Sequence, residues 1–171
     1  MLGLTACAVA RQRGWREVVV VDPVLSKREL AARFGATQAC SPEDWLSQPK
    51  FNGGFGFDAV LELSGAQVMM IPALESLRIG GHLVLVGAVF PVPPISLMPE
   101  QLIRRQITLR GIHNYRPSHL LEAVQFLSRY GQVYPFDELV SSWHGLAEVE
   151  TLIFKGLPTN QVRVGVKPYE F

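Results

Sequence analysis

The chain has 171 residues, of which 48% are hydrophobic and 18% charged, a globular composition that excludes a disordered protein. Its formal net charge of +1, with no basic stripe along the sequence, gives no indication of nucleic-acid binding. The longest apolar run, Leu83 to Ile95, is broken by prolines and too short to span a bilayer, and Met1 opens no secretory signal. Because Cys7 and Cys40 have no metal-binding spacing, we expect two reduced thiols in a cytoplasmic protein.

Helix and strand signals alternate along the chain. In the N-terminal third, the patterns predict a helix over 4–13, a strand over 18–21, a helix from a capping box at 26–29, a strand over 37–40 and a helix from 41. The middle of the chain is predicted to have a turn over 52–56, a strand over 57–63, a helix ending at 80–81, a strand over 82–87 and a proline-rich surface loop over 89–99. A strand over 107–111, a helix around 120–127, and strands over 139–143 and 162–166 that flank a short helix are predicted to follow. Strands separated by helices predict a parallel sheet that is covered on both faces.

Asp22 is the strand-end residue with the clearest chemical meaning. It follows the predicted strand 18–21 and lies about 20 residues after Gly3, near the start of the first helix. At this spacing a doubly wound α/β domain binds the ribose hydroxyls of a dinucleotide. Because a carboxylate accepts both hydroxyls and repels a 2′-phosphate, Asp22 favours NAD over NADP. A strand and two further glycines should precede Gly3, so we expect a dinucleotide-binding fold that lacks its first strand.

Several other predicted strands also end in small or polar residues. Doubly wound sheets bind their ligands at the carboxyl ends of strands, and small residues there let a ring and a sugar approach the backbone. The residues at these ends are Leu63, Ser64, Gly65, Val86, Gly87, Ala88 and the segment 111–114. Together with Asp22 they predict a nucleotide-binding site.

Five segments together resemble the zinc-type medium-chain alcohol dehydrogenases. They are residues 1–6, 19–22, 34–37, 56–60 and 77–87. The resemblance covers essentially the whole chain, as the C-terminal, NAD-binding half of such an enzyme. It implies a Rossmann-type domain over 1–114 without its first strand, and a segment over 115–171 that packs on a catalytic domain. It also implies hydride transfer between a small alcohol or aldehyde and NAD, and a homodimer that pairs through segments 94–98 and 106–110.

The same resemblance assigns individual site residues. The cofactor-binding set is Gly3, Asp22, Lys27, Leu63, Ser64, Gly65, Val86, Gly87, Ala88 and Arg163. In it, Lys27 lies beside the adenosine ribose and Arg163 reaches the pyrophosphate. Ile112, His113 and Asn114 lie near the nicotinamide and the substrate, and their polarity is similar to that of the subgroup associated with phosphonate catabolism.

The zinc ligands and the proton relay of these enzymes lie in an N-terminal domain, so the resemblance implies no catalytic residue and no metal ligand in this chain. Zinc polarises the alcohol oxygen so that hydride can leave carbon. We therefore expect the chain alone to be inactive.

Two other functions are compatible with parts of the pattern. An S-adenosylmethionine-dependent methyltransferase also ends an early strand in a ribose-binding acid, but it predicts an antiparallel strand pair at the C-terminus, and the 80–87 pattern counts against it. The other is a non-catalytic module for nucleotide binding or dimerisation. An in-frame coding sequence for zinc ligands immediately upstream of Met1 would exclude that module.

The missing strand bears on stability. In the order 3-2-1-4-5-6 it is central, and each buried N–H or C=O group without a partner costs about 1–3 kcal/mol. The strands that end at Asp22 and Leu63 therefore either pair directly, in the order 3-2-4-5-6, or leave a metastable chain with a low melting temperature.

Overall fold

The computed structural model describes residues 1–47, 54–156 and 161–169. Its helices and strands are α1 Leu2–Gln12, β1 Val19–Val21, α2 Leu25–Arg33, β2 Gln38–Cys40, α3 Pro42–Ser47, β3 Phe57–Glu62, α4 Gln67–Glu75, β4 Leu77–Leu85, α5 Pro99–Arg104, β5 Thr108–Gly111, α6 Pro117–Tyr130, β6 Val140–Gly145, α7 Val149–Lys155 and β7 Arg163–Lys167, with 3-10 turns at Asp137–Leu139 and Leu146–Glu148. Every described strand pairing is parallel: β1 with β2, β3 with β4, β4 with β5, and β6 with β7. The predicted α/β class with parallel sheets is confirmed. No helix of the described residues is long and apolar enough to cross a membrane.

The described residues form two compact units. The first unit comprises residues 1–41 and 117–171, and the second comprises residues 42–116. The first contains the β1–β2 and β6–β7 sheets, and the second contains a three-stranded sheet with β4 in the middle. The predicted boundary after residue 114 separates the dinucleotide-binding domain from the segment that is expected to pack on a catalytic domain, and it stays a prediction.

The core of the first unit joins the two N-terminal helices to the segment 134–139. Its buried residues are Leu4, Cys7 and Ala8 of α1, Ala31 of α2, Phe34, Tyr134 and Leu139. The ring of Phe34 is fully buried, with the Tyr134 ring stacked at 6.1 Å and the Phe136 ring edge-on at 5.1 Å. Burial raises the pKa of the Cys7 thiol to about 11, so this side chain packs as a neutral apolar group.

The core of the second unit lies between α4 and its sheet. Ala73 and Leu74 of α4 are buried against Leu77 and Leu83 of β4. Leu83 is flanked by a strand on each side, because β4 pairs with both β3 and β5.

The start of α2 differs from the prediction. The capping box at 26–29 is wrong, because α2 begins at Leu25 and its N-cap position is Val24, whose side chain makes no capping bond. Instead, Asp22 Oδ1 accepts the N–H of Val24 at 2.9 Å. This Asx turn sets the direction of the chain just before the helix. Gly35 has a φ of +95°, which is consistent with its predicted place after the helix end.

The region around Gly80 also differs from the prediction. Helix α4 ends at Glu75, and β4 already begins at Leu77, so Gly80–Gly81 lies inside the strand rather than at the helix end. The β3–β4 register is irregular here, Gly80 has a φ of +75°, and its N–H donates to the Arg105 carbonyl at 2.8 Å. The predicted helix end at 80–81 is therefore wrong, and the glycine bends a strand instead.

Two further predictions concern neighbouring loops. The predicted turn over 52–56 falls partly outside the described residues, whereas Gly54 and Gly56 both have positive φ values. The loop after β4 is irregular, as predicted, but the sequence patterns missed helix α5, which follows it.

Strands β1 and β3 each have one described neighbour. Within its sheet β1 pairs with β2, and within its sheet β3 pairs with β4, so each is an edge strand of the described residues. The direct pairing in the order 3-2-4-5-6 is therefore wrong. The alternative, a chain of low stability, stays a prediction.

We expect fast amide exchange in β1 and β3. In a parallel pair, alternate N–H groups of an edge strand point away from its neighbour and are exposed to water. The paired N–H groups exchange when the strand end opens locally. Hydrogen exchange read by mass spectrometry or NMR should show less protection at Val19–Val21 and Ala59–Leu61 than at Leu83–Leu85 of β4, which has neighbours on both sides. Equal, strong protection in all three segments would contradict this expectation.

Candidate functional site

Three predicted site residues of the first unit lie close to the start of α1. Burial lowers the pKa of the Met1 α-amino group, the charges of Lys27 and Arg163 lower it further, and the charge of Asp22 raises it. Charges act this way only over short distances in a partly solvated site. The charges of Asp22, Lys27 and Arg163 therefore all act on the start of α1, although Arg163 lies far from the other two in the sequence.

The backbone around Asp22 is fixed by hydrogen bonds. Its N–H donates to the Cys40 carbonyl at 3.2 Å, which extends the β1–β2 pairing by one residue. Arg28 Nη1 donates to the Asp22 carbonyl at 2.7 Å, and the side-chain Oδ1 accepts from Val24. Arg28 thus binds the main chain of Asp22 and not its carboxylate. The strand end and the following turn hold this carboxylate beside the start of α1.

Arg163 reaches the same place from the C-terminal part of the chain. It is the first residue of β7, pairs with Val140 of β6, and accepts at its carbonyl a hydrogen bond of 3.0 Å from Ser141 Oγ. Its side chain is directed to the start of α1, where Nε donates to Met1 Sδ. Gly3 lies in the first turn of the same helix. Helix α1 has no side-chain cap and no acidic residue in its first turn, so no side chain of the helix itself binds its N-terminal N–H groups.

In the second unit, the carboxylate of Glu62 organises the loop after β3. Its side chain is buried, and it accepts hydrogen bonds from Ser64 N at 2.9 Å, from Ser64 Oγ at 2.5 Å and from Gly65 N at 3.0 Å. Its main-chain carbonyl accepts from Val86 N at 2.9 Å and from Gly87 N at 3.0 Å. One residue therefore joins the two strand-end segments that were predicted as a site.

Glu62 is not among the site residues predicted from the sequence. A carboxylate at the last position of the strand Phe57–Glu62, two residues before Ser64 and three before Gly65, is the signal that could have identified it, because a buried charge requires several donors nearby.

The glycines at these strand ends pack against each other. A Cβ on Gly87 would lie 2.2 Å from Gly65 N and 2.6 Å from both Leu63 C and Ser64 N. A Cβ on Gly65, which has a φ of +75°, would lie 2.7 Å from the Gly87 carbonyl oxygen. Close approach of two backbones, rather than of a ligand alone, is thus a sufficient reason for glycine at both positions.

The predicted substrate-side segment follows β5. Ile112 N donates to the Leu85 carbonyl at 3.0 Å, which continues the pairing with β4 by one residue. Ile112, His113 and Asn114 are all exposed, and Asn114 has a φ of +56°. The strand-end loops of β3, β4 and β5 therefore follow three adjacent parallel strands at the same edge of one sheet.

The donor set at the start of α1 fits a dinucleotide. A carboxylate suits the paired hydroxyls of a ribose, while two cations and a helix N-terminus suit the oxygens of a pyrophosphate. It does not fit a metal, and the described residues contain no group of three or more His, Cys, Asp and Glu side chains placed to hold one.

Comparison with known proteins points in the same direction. Residues 2–129 match the family described as zinc-binding dehydrogenase. An L-threonine 3-dehydrogenase of Pectobacterium atrosepticum is 33% identical over 115 residues, which is 66% of this chain and 31% of that protein. An alcohol dehydrogenase from Thermotoga maritima superposes with a TM-score of 0.86 at 25% identity, over 98% of this chain and 47% of that one.

A protein from Sinorhizobium meliloti, solved with NADP bound, superposes with a TM-score of 0.87 at 23% identity, over 98% of this chain and 49% of that one. At this identity the likeness shows the fold alone. Across these proteins the matched part spans between about a third and a half of the relative's length.

Proposed function

This chain belongs to the zinc-binding dehydrogenase family, and from this premise we propose that it is the NAD-binding portion of an alcohol dehydrogenase-like oxidoreductase. In the intact enzyme, the bound dinucleotide would supply the hydride acceptor in its oxidised form and the hydride donor in its reduced form, and zinc would supply a Lewis acid for the oxygen of the alcohol or aldehyde. The role of this chain is to bind and orient the dinucleotide.

The observation that carries the proposal is that Arg163 Nε donates to Met1 Sδ at the start of α1, where the charges of Asp22 and Lys27 also act. Asp22 accepts the two hydroxyls of the adenosine ribose, with Lys27 beside the same sugar. Arg163, Gly3 and the first N–H groups of α1 bind the pyrophosphate, since opposite charge and a helix dipole both favour an anion there.

For the second unit, we propose that its strand-end loops contact the nicotinamide half of the cofactor. The contacts come from Leu63, Ser64, Gly65, Val86, Gly87 and Ala88, with 112–114 on the side of the substrate. The buried Glu62 supports this assignment, because its bonds to Ser64 and Gly65 hold the loop after β3 in one conformation. A loop already fixed in place loses less conformational entropy when a ligand binds.

The proposal also covers zinc, the activity of the chain alone, its location and its subgroup. The described residues offer no set of zinc ligands, so no step of the reaction is assigned to them, and a polypeptide of these 171 residues is expected to be inactive with alcohols. A cytoplasmic location and the phosphonate-associated subgroup stay predictions. The methyltransferase alternative is wrong, because the chain matches a dehydrogenase family and its C-terminal strands β6 and β7 are parallel.

We expect the purified chain to bind NAD more tightly than NADP. The carboxylate of Asp22 accepts the 2′-hydroxyl of NAD but repels the 2′-phosphate of NADP. Titration of the chain with each nucleotide by calorimetry would measure both dissociation constants, with free adenine, which lacks the ribose hydroxyls, as a control for non-specific stacking. Tighter binding of NADP would contradict the assignment of Asp22 to the ribose, and absence of binding to either nucleotide would contradict the proposed function.

We also propose a homodimer that pairs through the edge of the second unit's sheet. Strand β5 pairs with β4 on one side, and all of its residues are exposed. The N–H of Ile112 faces β4, so by alternation the N–H of Leu109 points to the open edge, which is a template for a second chain.

Sedimentation at high protein concentration should therefore show a dimer. Leu109→Pro, which removes the outward N–H, should give a monomer, whereas Leu109→Ala keeps the N–H and should leave the dimer in place. A monomer for the unmodified chain would count against the proposal.

A further inference from the structure

Ser142, His144 and Glu148 form a hydrogen-bonded relay that the proposed cofactor binding does not use. Ser142 Oγ lies 2.9 Å from His144 Nε2, and His144 Nδ1 lies 2.6 Å from Glu148 Oε2. All three residues belong to the first unit. A hydroxyl, an imidazole and a carboxylate linked in this order are the parts from which serine hydrolases build their nucleophile.

The local fold explains why these side chains meet. Ser142 and His144 are two residues apart on β6, so their side chains lie on the same face of the strand. Their places are fixed by pairing with Val164 and Val166 of β7. After Gly145 the chain turns into the 3-10 turn Leu146–Glu148, which brings the carboxylate back to the imidazole.

The opposite face of β6 is occupied by Trp143. Its ring lies directly over Gly165 of β7, where a Cβ would come within 2.3 Å of the ring, and Lys167 Nζ is 5.6 Å from the ring centre. Ser142 and His144 therefore lie on the face of β6 opposite to Trp143.

The protonation pattern follows from the partners. A carboxylate only accepts hydrogen bonds, so in the neutral imidazole the tautomer that fits Glu148 is the one with the hydrogen on Nδ1. Nε2 then has a free lone pair and accepts the O–H of Ser142. This is the tautomer in which the imidazole can remove the hydroxyl proton, and the Nδ1–H bond to Glu148 stabilises the imidazolium that forms. Ser142 and His144 are half-buried rather than fully enclosed by the described residues.

We propose that Ser142, His144 and Glu148 form a nucleophilic triad that hydrolyses small carboxylic esters, an activity separate from binding of the dinucleotide. Ser142 Oγ attacks the ester carbonyl as its proton passes to His144 Nε2. The bond from carbon to the alcohol oxygen breaks, and the alcohol leaves with that proton. Water then attacks the acyl-serine, His144 again takes and returns the proton, and the carboxylic acid is released with Ser142 restored.

The first test is covalent labelling of the unmodified 171-residue chain with diisopropyl fluorophosphate. An activated serine displaces fluoride and forms an O–P bond, which peptide mass spectrometry locates. We expect the adduct on Ser142 and none on the adjacent Ser141, whose Oγ donates to the carbonyl of Arg163. Because this test needs no variant, the absence of an adduct at Ser142 overturns the proposal.

The second test is hydrolysis of p-nitrophenyl acetate by matched variants. Ser142→Ala and His144→Gln should each lower the rate about a hundredfold, the usual contribution of a nucleophile–base pair, and Glu148→Gln should lower it less because Glu148 is exposed. Ser141→Ala should hydrolyse at the rate of the unmodified chain. Circular dichroism and Trp143 fluorescence would check that each variant is folded. A folded Ser142→Ala chain that is as active as the unmodified chain also overturns the proposal.

Discussion

Asp22→Asn is expected to weaken NAD binding by about tenfold or more. Hydrogen bonds to a charged group contribute about 1.5–3 kcal/mol each and those between neutral groups about 0.5–1.5 kcal/mol, so loss of the charge weakens both bonds to the ribose hydroxyls. The same change removes the repulsion of a 2′-phosphate, and the preference for NAD over NADP should fall with it.

Asparagine is the informative replacement because it can preserve the local fold. Its side-chain carbonyl can still accept the N–H of Val24, so the Asx turn before α2 remains. Asp137→Asn, an acidic residue of the first unit outside the candidate site, is the matched control. Calorimetric titration of both variants with NAD and NADP separates the outcomes. If Asp22→Asn binds NAD as tightly as the unmodified chain does, the carboxylate does not bind the ribose.

Gly87→Ala is expected to lower the free energy of unfolding by about 3 kcal/mol or more. The added Cβ would lie 2.2–2.6 Å from backbone atoms of Leu63, Ser64 and Gly65, and backbone atoms cannot move aside as a flexible side chain can. Overpacking in a well-packed region costs about 1–3 kcal/mol, and here the displaced loop would also lose bonds to the buried Glu62. Since total stability is typically about 5–15 kcal/mol, this is a large fraction of it.

Gly111→Ala provides the control for that experiment. Gly111 also lies at the end of a strand in the second unit, but a Cβ there meets nothing within 4 Å. Urea unfolding should therefore give nearly the same midpoint for Gly111→Ala as for the unmodified chain, and a clearly lower one for Gly87→Ala. Equal midpoints for the two variants would contradict the close packing of Gly65 on Gly87.

Sequence patterns predicted the elements whose signals are local and periodic. The small-residue helix before Gly14, the strand before Asp22 and the helix before Gly131 all occur within a few residues of their predicted bounds. These signals depend on hydrophobic spacing and on glycine after a helix end, and both are properties of neighbouring residues.

The predicted helix end at Gly80–Gly81 was wrong because the conformation there depends on a distant contact. Nothing near Gly80 in the sequence shows that its N–H donates to Arg105, and the pattern Gly80–Gly81 is the same for a helix stop as for a bent strand. The predicted capping box failed for a local reason: Ser26 has the sequence of a cap, but the Asx turn at Asp22 precedes a helix that already begins at Leu25.

The candidate site also contains one residue that local spacing predicts and others that it does not. Spacing alone pointed to Asp22, because the strand and the helix before it are adjacent in sequence. Arg163 required the family resemblance, since the start of α1 and the start of β7 are at opposite ends of the chain. The Ser142–His144–Glu148 relay was missed because it needs a turn between strand and helix that the sequence does not specify.

The exclusively parallel pairing of the described strands has a consequence for how the chain acquires its structure. Parallel partners need a crossover, so Val19 pairs with Gln38, and His82 pairs with Thr108, only after the intervening residues have been brought back to the start of the strand. Each ladder therefore loses loop-closure entropy before it gains its first hydrogen bond, and no β-hairpin of the described residues can act as a fast local nucleus. Newly synthesised chains will accordingly collapse around the helices first, with strand edges exposed until the slow, non-local pairings are complete.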